Sequence, residues 1–233
     1  PPDLYRPPFV RSVRCVSGTA RLPTLQVART ARVATLGTPA TAGSWWVVLH
    51  GYGQLAADFV SAFAPLVAPD RCVVAPEGLS RFYVDGMAQH EQVGASWMTR
   101  EAREAEVSDY VDALDATVRH LADDTPPSLH VLGFSQGAAT ASRWALWGDT
   151  AVDRLVLWGG APAHDLDLAE HAASLRALDL TLVAGTEDPY VTDDRWAAIR
   201  RRLQAHDIPV TTRTFEGGHR IDPAPLRALV APA

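Results

Sequence analysis

Three side chains, Ser135, Asp188 and His219, have the types and the chain order that acyl transfer requires. A serine hydroxyl is a poor nucleophile at neutral pH, so it needs a neutral imidazole within hydrogen-bond reach to take its proton during attack. His219 is the candidate base. A carboxylate that holds the imidazole in one tautomer and offsets the imidazolium charge completes such a set. Asp188 is the candidate acid, with Glu187 and Asp193 as neighbouring carboxylates that could serve instead. Ser135 stands in Gly133-Phe134-Ser135-Gln136-Gly137, between the apolar run 129–132 and the small-residue run 138–142. A strand, a sharp turn and a helix would lift its hydroxyl to the edge of a sheet. A side chain at 133 or 137 would crowd that turn, which gives both glycines a steric task. Serine is also a favoured helix N-cap, and it is the company of Asp188 and His219 that sets Ser135 apart. His219 follows two glycines between the last strand-like and the last helix-like stretch. His90, His120, His164, His171 and His206 read as surface residues, and His50 as a structural hydrogen-bonding residue.

A tetrahedral oxyanion needs fixed donors, and losing one typically costs about 2.7–4 kcal/mol of barrier. The backbone N–H of Gln136, at the positive end of the elbow helix, is one candidate. The N–H of Tyr52, in the turn His50-Gly51-Tyr52-Gly53, is the other. Residues 76–99 read as a long irregular segment, and loops of that length in compact domains are usually functional. Its Phe82, Tyr83, Trp97 and Met98 are the expected wall of a substrate pocket.

These residues need elements to carry them. Residues 25–36 interleave apolar and polar side chains, as a half-exposed antiparallel edge strand or hairpin would. Trp45-Trp46-Val47-Val48-Leu49 is continuously apolar, the mark of a strand covered on both faces. A helix is expected over residues 56–67, with Phe59, Phe63, Leu66 and Val67 inward, and a strand over 72–75. The strongest helical stripe is Val107, Tyr110, Val111, Leu114, Val118 and Leu121, within residues 101–123, stopped by residues 123–127. Strands follow at 155–158, 180–184 and 210–215. They are separated by helices near 168–178 and over 193–206, the latter with Thr192 as N-cap. A proline-started helix closes the pattern at 223–230. Strands alternating with helices imply a mostly parallel sheet wrapped on both faces, with sites at the strands' carboxyl ends. The triad residues all fall there.

Bulk properties narrow the function. A chain of 233 residues with 47% apolar and 21% charged residues fits a single α/β domain, with residues 1–24 as an irregular lead-in. A net charge of −6, carried without a single lysine, argues against nucleic acid as a partner. No stretch approaches the roughly 20 apolar residues of a membrane span, and the first residues lack a signal peptide's apolar core. A soluble, cytoplasmic protein without membrane insertion is expected. Two cysteines, Cys15 and Cys72, are too few for a disulfide framework, and no His/Cys spacing suits a metal. Cys72 reads as a buried, inert thiol.

Four motifs together resemble the phospholipase/carboxylesterase group of serine hydrolases, which includes acyl-protein thioesterases and small bacterial carboxylesterases. They are Leu49-His50-Gly51-Tyr52-Gly53, Gly133-Phe134-Ser135-Gln136-Gly137-Ala138, the run from Gly185 to Val191, and Gly218-His219. The resemblance covers about residues 45–225. It implies an α/β-hydrolase fold without metal or organic cofactor, Ser135, Asp188 and His219 as triad, and the Tyr52 and Gln136 N–H groups as oxyanion hole. The expected activity is hydrolysis of small or exposed acyl esters through an acyl-serine. Thioester or lysophospholipid hydrolysis by the same triad is the alternative, and a silent binding protein of this fold the less favoured one. Ala138 stands where that group often has glycine. The interval 160–180 is too short for a large cap domain.

Overall fold

The structure, a computed structural model, describes residues 23–86, 89–122 and 128–231. The chain divides into two compact units, Pro1–Thr30 and Ala31–Ala233. Of the first, residues 23–30 are described and carry neither helix nor strand; most of the expected lead-in, Cys15 and the helix stop at 123–127 lie outside the described residues.

The described part of the second unit alternates strand and helix. In chain order it contains β1 (Val33–Leu36), β2 (Ser44–Leu49), α1 (Ala56–Phe59), β3 (Arg71–Pro76), β4 (Ser80–Tyr83), β5 (Val93–Ser96) and α2 (Arg103–Leu121). Then come β6 (Ser128–Phe134), α3 (Gln136–Trp147), β7 (Arg154–Trp158), α4 (Ala172–Ala177), β8 (Asp179–Gly185), α5 (Asp193–Gln204), β9 (Thr211–Phe215) and α6 (Pro223–Ala228). The main sheet runs β1-β3-β2-β6-β7-β8-β9, with β1 antiparallel to β3 and every other neighbour parallel.

The unbroken apolar run of β2 divides between two cores. Trp45, Val47 and Leu49 join the α2 stripe, Trp144 of α3 and Leu203 of α5. Trp46 and Val48 face the other way, toward Phe59, Phe63, Leu66 and Leu226. Each large side chain so buried contributes about 1.5–3 kcal/mol relative to exposure, so the strand that delivers the Gly51–Tyr52 turn is anchored on both faces.

Four local departures from the sequence reading have physical causes. The edge strand is only Val33–Leu36, and residues 25–32 are not strand. Only Val73 to Pro76 of its partner β3 pair with it, and once the Glu77 N–H has taken the Arg32 carbonyl the partner chain leaves the sheet. The expected helix over 56–67 is α-helical only to Phe59 and continues as a 3-10 segment, Val60–Leu66, that contains Pro65. Proline has no N–H to donate to an α turn, and Val67, beyond the segment, is exposed. The segment 76–99 is not irregular throughout: β4 and β5 pair antiparallel as a two-stranded hairpin. Gly94 hides β5 from propensity, yet any Cβ there would collide with the Gly53 carbonyl. Finally, Thr192 sits at the N-cap of α5 without a side-chain capping bond.

Candidate active site

Ser135 alone makes the turn from β6 to α3, at φ 55° and ψ −114°. A non-glycine residue there is strained by about 1–3 kcal/mol. Its N–H donates to the Trp158 carbonyl of β7 at 2.9 Å, and its own carbonyl accepts from Ala138 N–H at 3.0 Å. The hydroxyl caps nothing, which removes the N-cap role. A Cβ on Gly133 would strike the Gly137 carbonyl, and one on Gly137 would strike the Leu49 and His50 carbonyls. The methyl of Ala138 is accommodated because Gly160 faces it.

Asp188, in the loop after β8, and His219, in the loop after β9, meet through a 2.7 Å bond between Oδ2 and Nδ1. A carboxylate only accepts, so Nδ1 carries the hydrogen and Nε2 keeps its lone pair. The second oxygen of Asp188 accepts from Tyr190 N–H at 2.8 Å, and its side chain is buried. Glu187 and Asp193 are exposed, and no hydrogen bond joins either to His219. The imidazole packs between Phe134 and Tyr190, at ring distances of 4.7 and 4.8 Å. Gly159 passes beneath at φ 58°, where a Cβ would lie 2.9 Å from His219 Cε1 and 3.3 Å from Asp188 Oδ2. No hydrogen bond joins Ser135 Oγ to His219 among the described residues; such bonds commonly tighten only when substrate binds.

The turn after β2 lies against the serine: a Cβ on Gly51 would be 3.2 Å from Ser135 Cβ. Gly51 N–H is taken by Gln54 Oε1 at 2.8 Å and Gly53 N–H by the Ala95 carbonyl at 2.9 Å. Among the described residues nothing accepts from the N–H of Tyr52 or of Gln136. Both donors are unspent.

His50 braces this turn. Its Nε2 accepts from Gly78 N–H at 2.9 Å, so the hydrogen resides on Nδ1, which donates to the Gly51 carbonyl at 2.8 Å. Burial lowers its pKa against the raising influence of the Gly51 bond and Glu77, which favours the neutral ring this pattern requires. Trp97 stacks on it at 4.9 Å and donates its indole N–H to the His50 carbonyl at 2.8 Å. The Gln136 side chain reaches back from α3, donating to the Met98 carbonyl at 2.9 Å and accepting from Trp97 N–H at 3.2 Å. Buried Glu77 accepts from Ala56 N–H at 3.2 Å and pairs with Arg81 and Arg32 at 3.2 and 3.4 Å. Sequence reasoning gave no role to Gln54, Glu77 or the Gln136 amide; only their positions beside glycine turns hinted at one.

A cavity of about 400 Å³ adjoins His219, lined among others by Gln54, Asp58, Phe59, Phe134 and Arg220. Val93 is its contribution from the 76–99 segment. Trp97 is 3% exposed and committed to His50, and Met98 packs on the core beside the Arg143 guanidinium. Trp97 thus braces the turn, and neither it nor Met98 lines this cavity. Phe82 stacks on Tyr52 at 5.0 Å and Tyr83 on His90 at 4.6 Å, and neither lines this cavity. Cys72 is buried, and burial pushes its thiol up to about 11. Among the described residues no cluster of three or more His, Cys, Asp or Glu could hold a metal ion, and no helix is long and apolar enough to cross a membrane.

Residues 34–231 match the phospholipase/carboxylesterase family. Solved structures are similar over most of the chain. Acyl-protein thioesterase 2 from Zea mays is 17% identical, with a TM-score of 0.66 covering 86% of this chain and 96% of that one. A carboxylesterase from Mesorhizobium loti is 22% identical, with a TM-score of 0.64 covering 86% and 92%. Esterase PE8 is also 22% identical, with a TM-score of 0.64 covering 86% and 96%. No curated protein matches the chain.

Proposed function

The chain belongs to the phospholipase/carboxylesterase family, and from that premise we propose that it is a serine carboxylesterase acting on small or exposed acyl esters through an acyl-Ser135 intermediate. The observation that carries this reading is the 2.7 Å bond from His219 Nδ1 to Asp188, which leaves the Nε2 lone pair uncommitted on a ring packed against Phe134, the residue before the elbow serine. Ser135 Oγ attacks the ester carbonyl as its proton passes to His219 Nε2. The oxyanion accepts from the unspent N–H groups of Tyr52 and Gln136. Collapse breaks the bond to the alcohol oxygen, which leaves with the proton from His219, and a water activated by the same nitrogen releases the acid. Asp188 stays ionised throughout. The open site is supported by the short path from β7 to β8, which holds only α4 and loop.

An organophosphonate should label Ser135 rapidly, and Ser135→Ala should lose about a millionfold in turnover. A folded protein that takes no label and cleaves no ester sinks the reading. p-Nitrophenyl esters from acetate to palmitate, run beside acyl-CoA and lysophospholipid, rank ester against thioester. A strong preference for long chains contradicts the small-ester part.

A further inference from the structure

We propose that the 400 Å³ cavity beside His219 is the subsite for the departing alcohol, and that it takes a compact uncharged or cationic alcohol and rejects an anionic one; this rests on the esterase reading above. The assignment joins two observations, the orientation of the imidazole and the walls of the cavity. His219 Nδ1 is held by Asp188, so the leaving oxygen must depart along the Nε2 side of the ring to be protonated. The cavity has His219 as one wall and, as another, Gly53 and Gln54, which follow directly on the Tyr52 donor. Its floor is apolar: Phe59 and Phe134 are buried rings at a 6.1 Å separation, with Ile221 beside them. A ring or branched alkyl group fits a space of this size and lining.

Charge sets the second half of the proposal. Two charged side chains reach the cavity, Asp58 and Arg220. The Arg220 guanidinium is already matched: it donates to Asp222 Oδ2 at 3.1 Å and to the Glu216 carbonyl at 3.2 Å, and lies over the Phe215 ring. Asp58 has no ion-pair partner among the described residues. The unmatched charge at the rim is therefore negative. A trimethylammonium group would meet both that carboxylate and the aromatic floor, a favourable setting for a cation. A carboxylate or a phosphorylated thiol would meet repulsion, so acyl-CoA is expected to be a poor substrate.

Phenyl acetate, its meta-trimethylammonio and meta-carboxylate derivatives, and methyl acetate share one acyl group and test the alcohol side alone. The parent should favour the cationic over the anionic derivative. Asp58→Asn should lower that kcat/KM ratio about fivefold, the worth of one exposed ionic contact, and Asp58→Lys should invert the order. Ala62 lines the same cavity and is exposed, so a tryptophan there is tolerated by the fold. Ala62→Trp should lower kcat/KM for phenyl acetate relative to methyl acetate by about tenfold or more. Turnover whose selectivity none of the three variants moves overturns the subsite and leaves the esterase standing. No turnover of any ester, together with an unlabelled Ser135, overturns both.

Discussion

The elbow and the turn facing it solve one problem, the placing of a few backbone and side-chain atoms, in opposite ways. At the elbow the constraint is steric contact with backbone: a Cβ on Gly133 would strike the Gly137 carbonyl, one on Gly137 would strike the end of β2, and Ser135 is bonded to the end of β7. The Gly51–Tyr52 turn is held instead by hydrogen bonds. Gly78 reaches His50 across 28 residues, Trp97 across 47, and Gln136 reaches Met98 across 38. Steric contact with backbone gives a geometry that either forms or does not. A web of distant hydrogen bonds gives one that can drift by fractions of an ångström while the fold survives.

The comparison breaks most visibly at Gly137. Gly137→Ala places a methyl against the carbonyls of Leu49 and His50, and should cost at least about 3 kcal/mol in a urea titration, with turnover lost in parallel. Gln54→Ala frees the Gly51 N–H and should drop kcat about a hundredfold, as small misplacements do, with the urea midpoint little moved. If its stability fell as far as that of Gly137→Ala, the two regions would not differ as argued. Trp97→Phe keeps the stacking but leaves the His50 carbonyl without its donor. A loss of about 1–3 kcal/mol in stability should follow.

The smallest effect on activity is expected where the two regions are tied together. Arg143 of the elbow helix binds Asp165 bidentately and touches Met98. Burial pushes the Asp165 carboxyl up, but hydrogen bonds from Arg143 and Arg103 outweigh it and set it at about 2. The folded value lies below that of the free side chain, so the stabilisation is fully present above about pH 4 and is lost as pH falls toward 2. Asp165→Asn should cost at most about 2 kcal/mol at pH 7, with kcat nearly unchanged, and the difference from the parent should shrink as pH falls toward 2 in the same titration.

This division also explains what the sequence made legible. The alternation of strands and helices and the splitting of β2 between two cores could be read because apolar periodicity is local. So could the steric need for Gly133 and Gly137. Asp188 could be distinguished from Glu187 and Asp193 only once β8 and β9 were side by side, because the choice is one of direction within a loop. The roles of Trp97, Met98 and Gln136 could not be read. An aromatic side chain in a long segment has the same composition whether it lines a pocket or donates a hydrogen bond 47 residues away. The β4–β5 hairpin was hidden because Gly94 answers to the approach of Gly53 rather than to strand propensity.

Ser135 is a non-glycine residue held at angles, φ 55° and ψ −114°, that suit glycine best. Ser135→Gly should therefore raise the melting temperature, by the equivalent of about 1 kcal/mol once glycine's extra freedom in the unfolded chain is set against the relieved strain. With Ser135 as the proposed nucleophile, stability and turnover pull that position in opposite directions. A descendant relieved of selection for turnover would drift downhill toward a tougher, inert fold, and a glycine at this one position is the scar by which such a lineage could be recognised.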